Sequence, residues 1–314
     1  MRIRLAALVT AVATLCGLLA AAPAMATAGT PYTNVLTFHG LALNGYAARA
    51  QTAGSGSVFR VSAGWSSRHY LPYEAPRVVL QRRIGGGAWR DVRRASFTDS
   101  GIAASTGVVR VPRSTERRVV RYRFVSLAGT TSQGFRWQRA VSAPVRIVYE
   151  NQQRYTGLAR TAYRAMRPYC PAASVHVVDR IAGDDGFAGV YREGGTRIDL
   201  ARAIGRYPAA AIRGVALHEC AHQRQFLNWG ASPQGWTRMT AAMDRRFVDD
   251  AAPAGTAPTR SGEGASLPFD PVEHAADCAA LSVERGAYLG YGGWCSPKEL
   301  RAGRALLQGR TAAR

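Results

Sequence analysis

The chain has 314 residues, 41 basic against 20 acidic side chains, and a formal net charge of +21 at neutral pH. That length is enough for two domains, and no stretch beyond the N-terminus reaches the roughly 18 uninterrupted apolar residues of a transmembrane helix. The positive charge is nearly all arginine, since Lys298 is the only lysine, and it is scattered rather than gathered in one block. It reads first as the solvated surface of an exported protein; the functional alternative is attraction to anionic cell-wall polymers, with nucleic acid a less expected partner.

Residues 1–26 read as a cleaved secretory signal peptide. Arg2 and Arg4 form the positive start, Leu5 to Ala22 is an apolar run without charge, and Ala24-Met25-Ala26 is a small-x-small cleavage site. Leu15 before Cys16 argues against a lipoprotein cysteine. The expected location is extracellular, and the remaining chain of 288 residues still carries a net charge of +19.

Residues 27–50 offer a leader and one strand between Tyr32 and Leu43. From 51 to 150 the pattern is β. Alternating segments start at Val58, Arg77, Trp89, Gly107, Arg118 and Val145, with Gly- and Ser-rich turns between them. Short strands at regular spacing point to a sandwich. About 100 residues with tryptophan and the Tyr122-x-Phe124 strand resemble an immunoglobulin-like or fibronectin-type module, one without the inter-sheet cysteine pair. Trp65, Trp89, Tyr122 and Phe124 are expected in its core. Arginines alternating outward would make one of its faces basic.

A second domain is expected over 151–314. Gln152 to Met166 reads as a helix carrying Tyr155, Leu158, Ala162, Tyr163 and Met166 on one face. Val175 to Val178 reads as a strand with His176 as a structural residue. Gly186 to Tyr191 and Thr196 to Leu200 read as a hairpin. Next comes Leu217-His218-Glu219-Cys220-Ala221-His222, a His-Glu-x-x-His motif in a helical run that Pro208 suits at its start. Residues four apart share a helix face, so His218 and His222 can bind one zinc ion. Glu219, about 100° round the helix, can handle a water activated by that ion. Gln234 to Phe247 reads as a helix with Trp236, Met239, Met243 and Phe247 inward. Residues 249–268 form a long Ala/Pro/Gly/Ser-rich loop; Glu263 within it is a poor ligand candidate. Asp270-Pro271 caps a further helix on which Glu273 and Asp277 are four apart. One of these carboxylates can ligate zinc and the other can accept the ring N–H of a ligand histidine. Ser296, Pro297 and Glu299 start a last, supporting helix.

His-Glu-x-x-His followed by Glu-x-x-x-Asp on a later helix resembles the gluzincin type of zinc metallopeptidase. The two helix motifs are also similar to uncharacterised secreted neutral zinc peptidases of high-GC bacteria. The resemblance implies an α+β, zincin-like catalytic domain with one catalytic Zn2+ held by His218, His222 and Glu273. It makes Glu219 the general base and Asp277 the orienting residue. It also implies a substrate-holding edge strand, placed at Thr196, Arg197, Ile198, Asp199 and Leu200. The implied substrate is a peptide or protein, and Tyr288, Tyr291 and His274 are candidate oxyanion donors.

Cys170, Cys220, Cys278 and Cys295 remain after signal cleavage, an even number in an exported chain. Cys278 and Cys295 are close in sequence and are expected to pair. That leaves Cys170 for Cys220, with a buried free thiol at Cys220 as the alternative. The rival function is an exported surface- or cell-wall-binding protein whose metal site is structural; hydrolysis of a non-peptide amide in the cell wall is a third.

Overall fold

The computed structural model describes residues 33–43, 46–47, 50–54, 58–67, 76–97, 103–110, 117–130, 134–181, 188–192, 194–247, 269–287 and 295–311. The expected signal peptide, the 249–268 loop with Glu263, and Tyr288 and Tyr291 lie outside them. The architecture is mixed α+β, with several small sheets and five α-helices among the described residues.

Two sheets dominate residues 33–150. One has the strand order Tyr46–Ala47, Leu36–Leu43, Val58–Ser67, Ala103–Arg110, Ser96–Phe97. The other runs Ala50–Gly54, Val145–Glu150, Arg118–Ser126, Val78–Ile84, Arg90–Arg94, with Ala140–Val141 added to Arg118–Ser126. Period-two alternation decides what each strand buries. Val120, Tyr122 and Phe124 point inward with Val145, Ile147 and Tyr149, and they meet Leu36, Leu43, Phe59 and Val61 of the other sheet in one core. Leu36–Leu43 pairs with Val58–Ser67, so the segment read as a leader with one strand already contributes to this core. Trp65 packs against the core as expected. Trp89 does not. It lies beneath the guanidinium groups of Arg83 and Arg123, at 5.0 and 4.0 Å from its ring centre.

The helix expected from Gln152 is broken. A 3-10 turn spans Gln152–Arg154, and helix α1 begins only at Gly157 and runs to Met166. Gly157 has φ +50, in the left-handed region that glycine enters without strain. A three-stranded sheet follows, in the order Ser174–Val178, Arg197–Ala201, Gly189–Tyr191. His176 bonds Ser174 Oγ at 2.9 Å and lies 3.4 Å from Glu150, in keeping with a structural role.

Helix α2 spans Ala209–Asn228, α3 Pro233–Arg246, α4 Pro271–Leu281 and α5 Pro297–Leu307. Their starts follow local chemistry. Ser232 caps α3 through the Gly235 N–H, Asp270 accepts from the N–H groups of Val272 and Glu273, and Ser296 and Glu299 form a capping box. Both disulfides of the preferred pairing are present. Cys170–Cys220 ties α2 to the segment after α1, and Cys278–Cys295 ties α4 to the start of α5.

Candidate metal centre

Helix α2 is buried over most of its length, and several of its polar residues are buried with it. His218, Glu219 and His222 are 6%, 5% and 8% exposed. Such burial requires partners, and α4 supplies them. Glu273 Oε2 lies 3.0 Å from His218 Nε2 and 3.1 Å from His222 Nε2, and the two imidazole nitrogens are 2.9 Å apart. Glu273 sits in the first turn of α4, where the helix dipole favours an anion.

Each histidine is held from behind. His218 Nδ1 is 2.7 Å from Asp277 Oδ1. His222 Nδ1 is 2.8 Å from Gln225 Oε1, while Gln225 Nε2 donates to the Val272 carbonyl at 2.8 Å. Because the Gln225 amide nitrogen is committed to that carbonyl, its oxygen must accept, and His222 donates through Nδ1. Asp277 imposes the same tautomer on His218. Both neutral rings therefore present the Nε2 lone pair to the point shared with Glu273.

Three donors about 2.1 Å from one tetrahedral zinc stand roughly 3.4 Å apart. The observed triangle is slightly tighter, and its two nitrogens and one carboxylate oxygen are a zinc-type donor set, so these residues fit one such ion. The group joins residues 51 to 55 positions apart in sequence. A second cluster, His274 with Cys278 and Cys295, offers no thiolate, because its cysteines are bonded to each other.

The electrostatics suit a cation. Burial disfavours the charged form of His218, but Asp277 and Glu273 outweigh it and hold its pKa well above the ordinary value. His222 is likewise raised: burial opposes its charge, and Glu273 prevails. Burial opposes ionisation of Glu273 too, and the two imidazoles prevail, so its carboxyl is held far below the usual range. Glu219 goes the other way. Burial pushes it up, with Glu273 adding to the rise, against the pull of both histidines and a hydrogen bond from the Tyr191 backbone.

Strand Gly189–Tyr191 lies directly against Glu219. A Cβ at Gly189 would stand 2.9 Å from Glu219 Cγ, Glu219 Oε1 and Val215 Cγ1, so only glycine fits there without displacing these side chains. This overturns the expected edge strand. Arg197–Ala201 is central, paired in parallel with Ser174–Val178 and antiparallel with Gly189–Tyr191, so both of its edges are used. Thr196, Ile198, Asp199 and Leu200 are buried, with Asp199 clasped by Arg192 and Arg197. The end strands are Ser174–Val178 and Gly189–Tyr191, and the second of these lies against Glu219. Sequence pattern could not choose between the two arms of one hairpin. His274 is also misplaced as an oxyanion donor: it is buried between Phe247 and Phe269, 3.6 Å from Glu299. Gln225 belongs to no motif, and its position three residues after His222 on the same helix is the one sequence signal of its contact with that ring.

No protein-family model matches this chain, and no curated protein does.

Proposed function

We propose that the chain is an exported zinc-dependent endopeptidase of the gluzincin type, with an immunoglobulin-like sandwich ahead of a zincin-like catalytic domain. The observation that carries this reading is the convergence of His218 Nε2, His222 Nε2 and Glu273 Oε2 from two separate helices, with buried Glu219 beside them. Two disulfides favour an oxidising, extracellular setting, and no helix among the described residues is long and apolar enough to cross a membrane.

His218, His222 and Glu273 would hold the zinc, which when bound polarises a peptide carbonyl and acidifies water. Glu219 takes a proton from the attacking water and delivers it to the leaving amine. Asp277 and Gln225 keep both imidazoles in the ligating tautomer. Strand Gly189–Tyr191, at the sheet's end beside Glu219, is the place for an extended substrate to add by backbone pairing. Tyr288 and Tyr291 are the remaining candidates to stabilise the oxyanion.

Among the described residues the donor group contains three protein atoms rather than four. A three-donor set is that of a catalytic zinc site, whereas structural sites close with a fourth protein ligand. This favours the peptidase over an exported binding protein with a structural metal. The test is zinc content together with hydrolysis of an unfolded protein substrate by wild type and Glu219→Gln, with and without chelator. One zinc in both proteins, chelator-sensitive cleavage by wild type and none by the variant are expected. Full activity of Glu219→Gln, or zinc bound with no cleavage by either, would overturn the assignment.

A further inference from the structure

The outer face of the six-stranded sheet carries a charge pattern that folding alone does not favour. Arg121 stands directly opposite Arg83 on one neighbouring strand and directly opposite Arg146 on the other. With adjacent strands about 4.8 Å apart, this is a row of three arginines about 10 Å long. Like charges directly opposed destabilise a sheet. Arg123, on the same face of its strand, and nearby Arg139 extend the cluster. Burial, then the charges of Arg139 and Arg83, hold the Arg123 guanidinium below its ordinary pKa.

None of the five has a carboxylate at ion-pair distance among the described residues. Arg121 Nη1 donates to the Gly85 carbonyl at 3.3 Å and Arg123 Nε donates to Gln81 Oε1 at 3.0 Å. Arg83 and Arg123 stack on Trp89. The neighbouring acid Asp91 is occupied by Gln81 Nε2 at 2.9 Å. Glu150, on the strand of Arg146, is occupied by Tyr155 and Ser174. The guanidiniums of Arg83, Arg121 and Arg123 are thus oriented by neutral groups and an aromatic ring, with no neutralising carboxylate among the described residues. A guanidinium fork matches a phosphate with two parallel hydrogen bonds.

We propose that this arginine row on the outer sheet face binds a linear polyanion that bears recurrent phosphates and carries no bases. Trp89 is already stacked by guanidiniums rather than standing open to bases, which argues against a single-stranded nucleic acid. The inference is independent of the metal centre.

The probe is long-chain inorganic polyphosphate, titrated into the intact chain over a range of salt concentrations. The paired substitution Arg121→Thr/Arg146→Thr is expected to weaken binding about tenfold or more at low salt. It should also make the plot of log affinity against log salt shallower by roughly 1.5 units, as two phosphate contacts are lost at about 0.7–0.9 each. Its melting temperature should hold or rise, because both opposed pairs disappear; the single change Arg146→Thr gives a second reading if the pair folds poorly. A second basic surface, lined by Arg246, Lys298, Arg301, Arg304 and Arg310 beside α5, serves as control. Lys298→Ala/Arg301→Ala should leave binding unchanged. Binding unaffected by the sheet substitutions, or lost with the α5 pair instead, would overturn the proposal. So would tighter binding of duplex DNA than of polyphosphate at the same salt.

Discussion

Gly189→Ala is the most direct perturbation of the proposed base, because it adds one methyl group and no charge. The new Cβ would lie 2.9 Å from three side-chain atoms, two of them in Glu219 and one in Val215. Carbon atoms rest about 3.5–4.0 Å apart, so roughly 0.6–1 Å of movement is required. The strand is held by its pairing with Arg197–Ala201, and α2 is pinned from behind by the Cys170–Cys220 bridge and a buried core. The Glu219 side chain is the part free to yield. Overpacking of this kind costs about 1–3 kcal/mol of stability, or several degrees in melting temperature for a domain this size. A misplacement approaching 1 Å costs about 100-fold in turnover. Zinc content should not change, because the contact does not involve His218, His222 or Glu273. The assay is hydrolysis by the zinc-loaded variant beside its melting curve and metal analysis. Wild-type turnover in a folded, zinc-loaded Gly189→Ala protein would refute the placement of Glu219 as the base held under this strand.

Asp277→Asn removes the charge behind His218 while keeping an acceptor, and should lower zinc affinity about 10- to 100-fold in a chelator competition; an unchanged affinity would deny Asp277 its orienting role. Gln225→Ala should lower it too, toward the smaller end, since the group lost is neutral. Zinc binding at pH 7 should release at least one proton, measurable by calorimetry in buffers of different ionisation enthalpy. The reason is that the metal-free His218 is held well above its ordinary value, whereas ligation needs the neutral ring. In chelator, the raised pKa of His218 contributes stability that is present below about pH 6.5 and lost as pH rises through its folded value. The depressed pKa of Glu273 contributes stability present above about pH 4.5 and lost in acid. The melting temperature of the metal-free chain should therefore fall on both flanks of an intermediate pH, and a flat profile would count against the ion-paired cluster. Replacing Cys170 and Cys220 by serine releases a loop of 50 residues and should cost about 4 kcal/mol in denaturant unfolding, against about 3 kcal/mol for the 17-residue loop of Cys278 and Cys295.

Much of the candidate site was legible because its signals are local. The i, i+4 spacing of His218 and His222, and of Glu273 and Asp277, fixes which residues share a helix face whatever the fold. The caps at Asp270 and Ser296 fix where two helices begin. The strand alternation around Tyr122 and Phe124 likewise required only the period of an extended chain.

What failed was relational. A hairpin pattern carries no label for which arm a third strand will cover, so Thr196 to Leu200 reads as an edge although the strand there, Arg197–Ala201, is central. Trp89 reads as core by composition, yet its place is set by two arginines on other strands. His274, next to Glu273 in sequence, points into a different core because one residue on a helix is about 100° of rotation. Spacing within one element is enough to say that His218 and His222 share a face of one helix and Glu273 and Asp277 a face of another; it leaves open which of the two carboxylates meets both histidines. It takes the packed chain to bring His218, His222 and Glu273 within 3.1 Å of one another, to leave room for glycine alone over Glu219, and to set three arginines opposite one another across a sheet. Each of these depends on how separate elements pack, and packing is decided by the summed burial of many side chains rather than by any one motif.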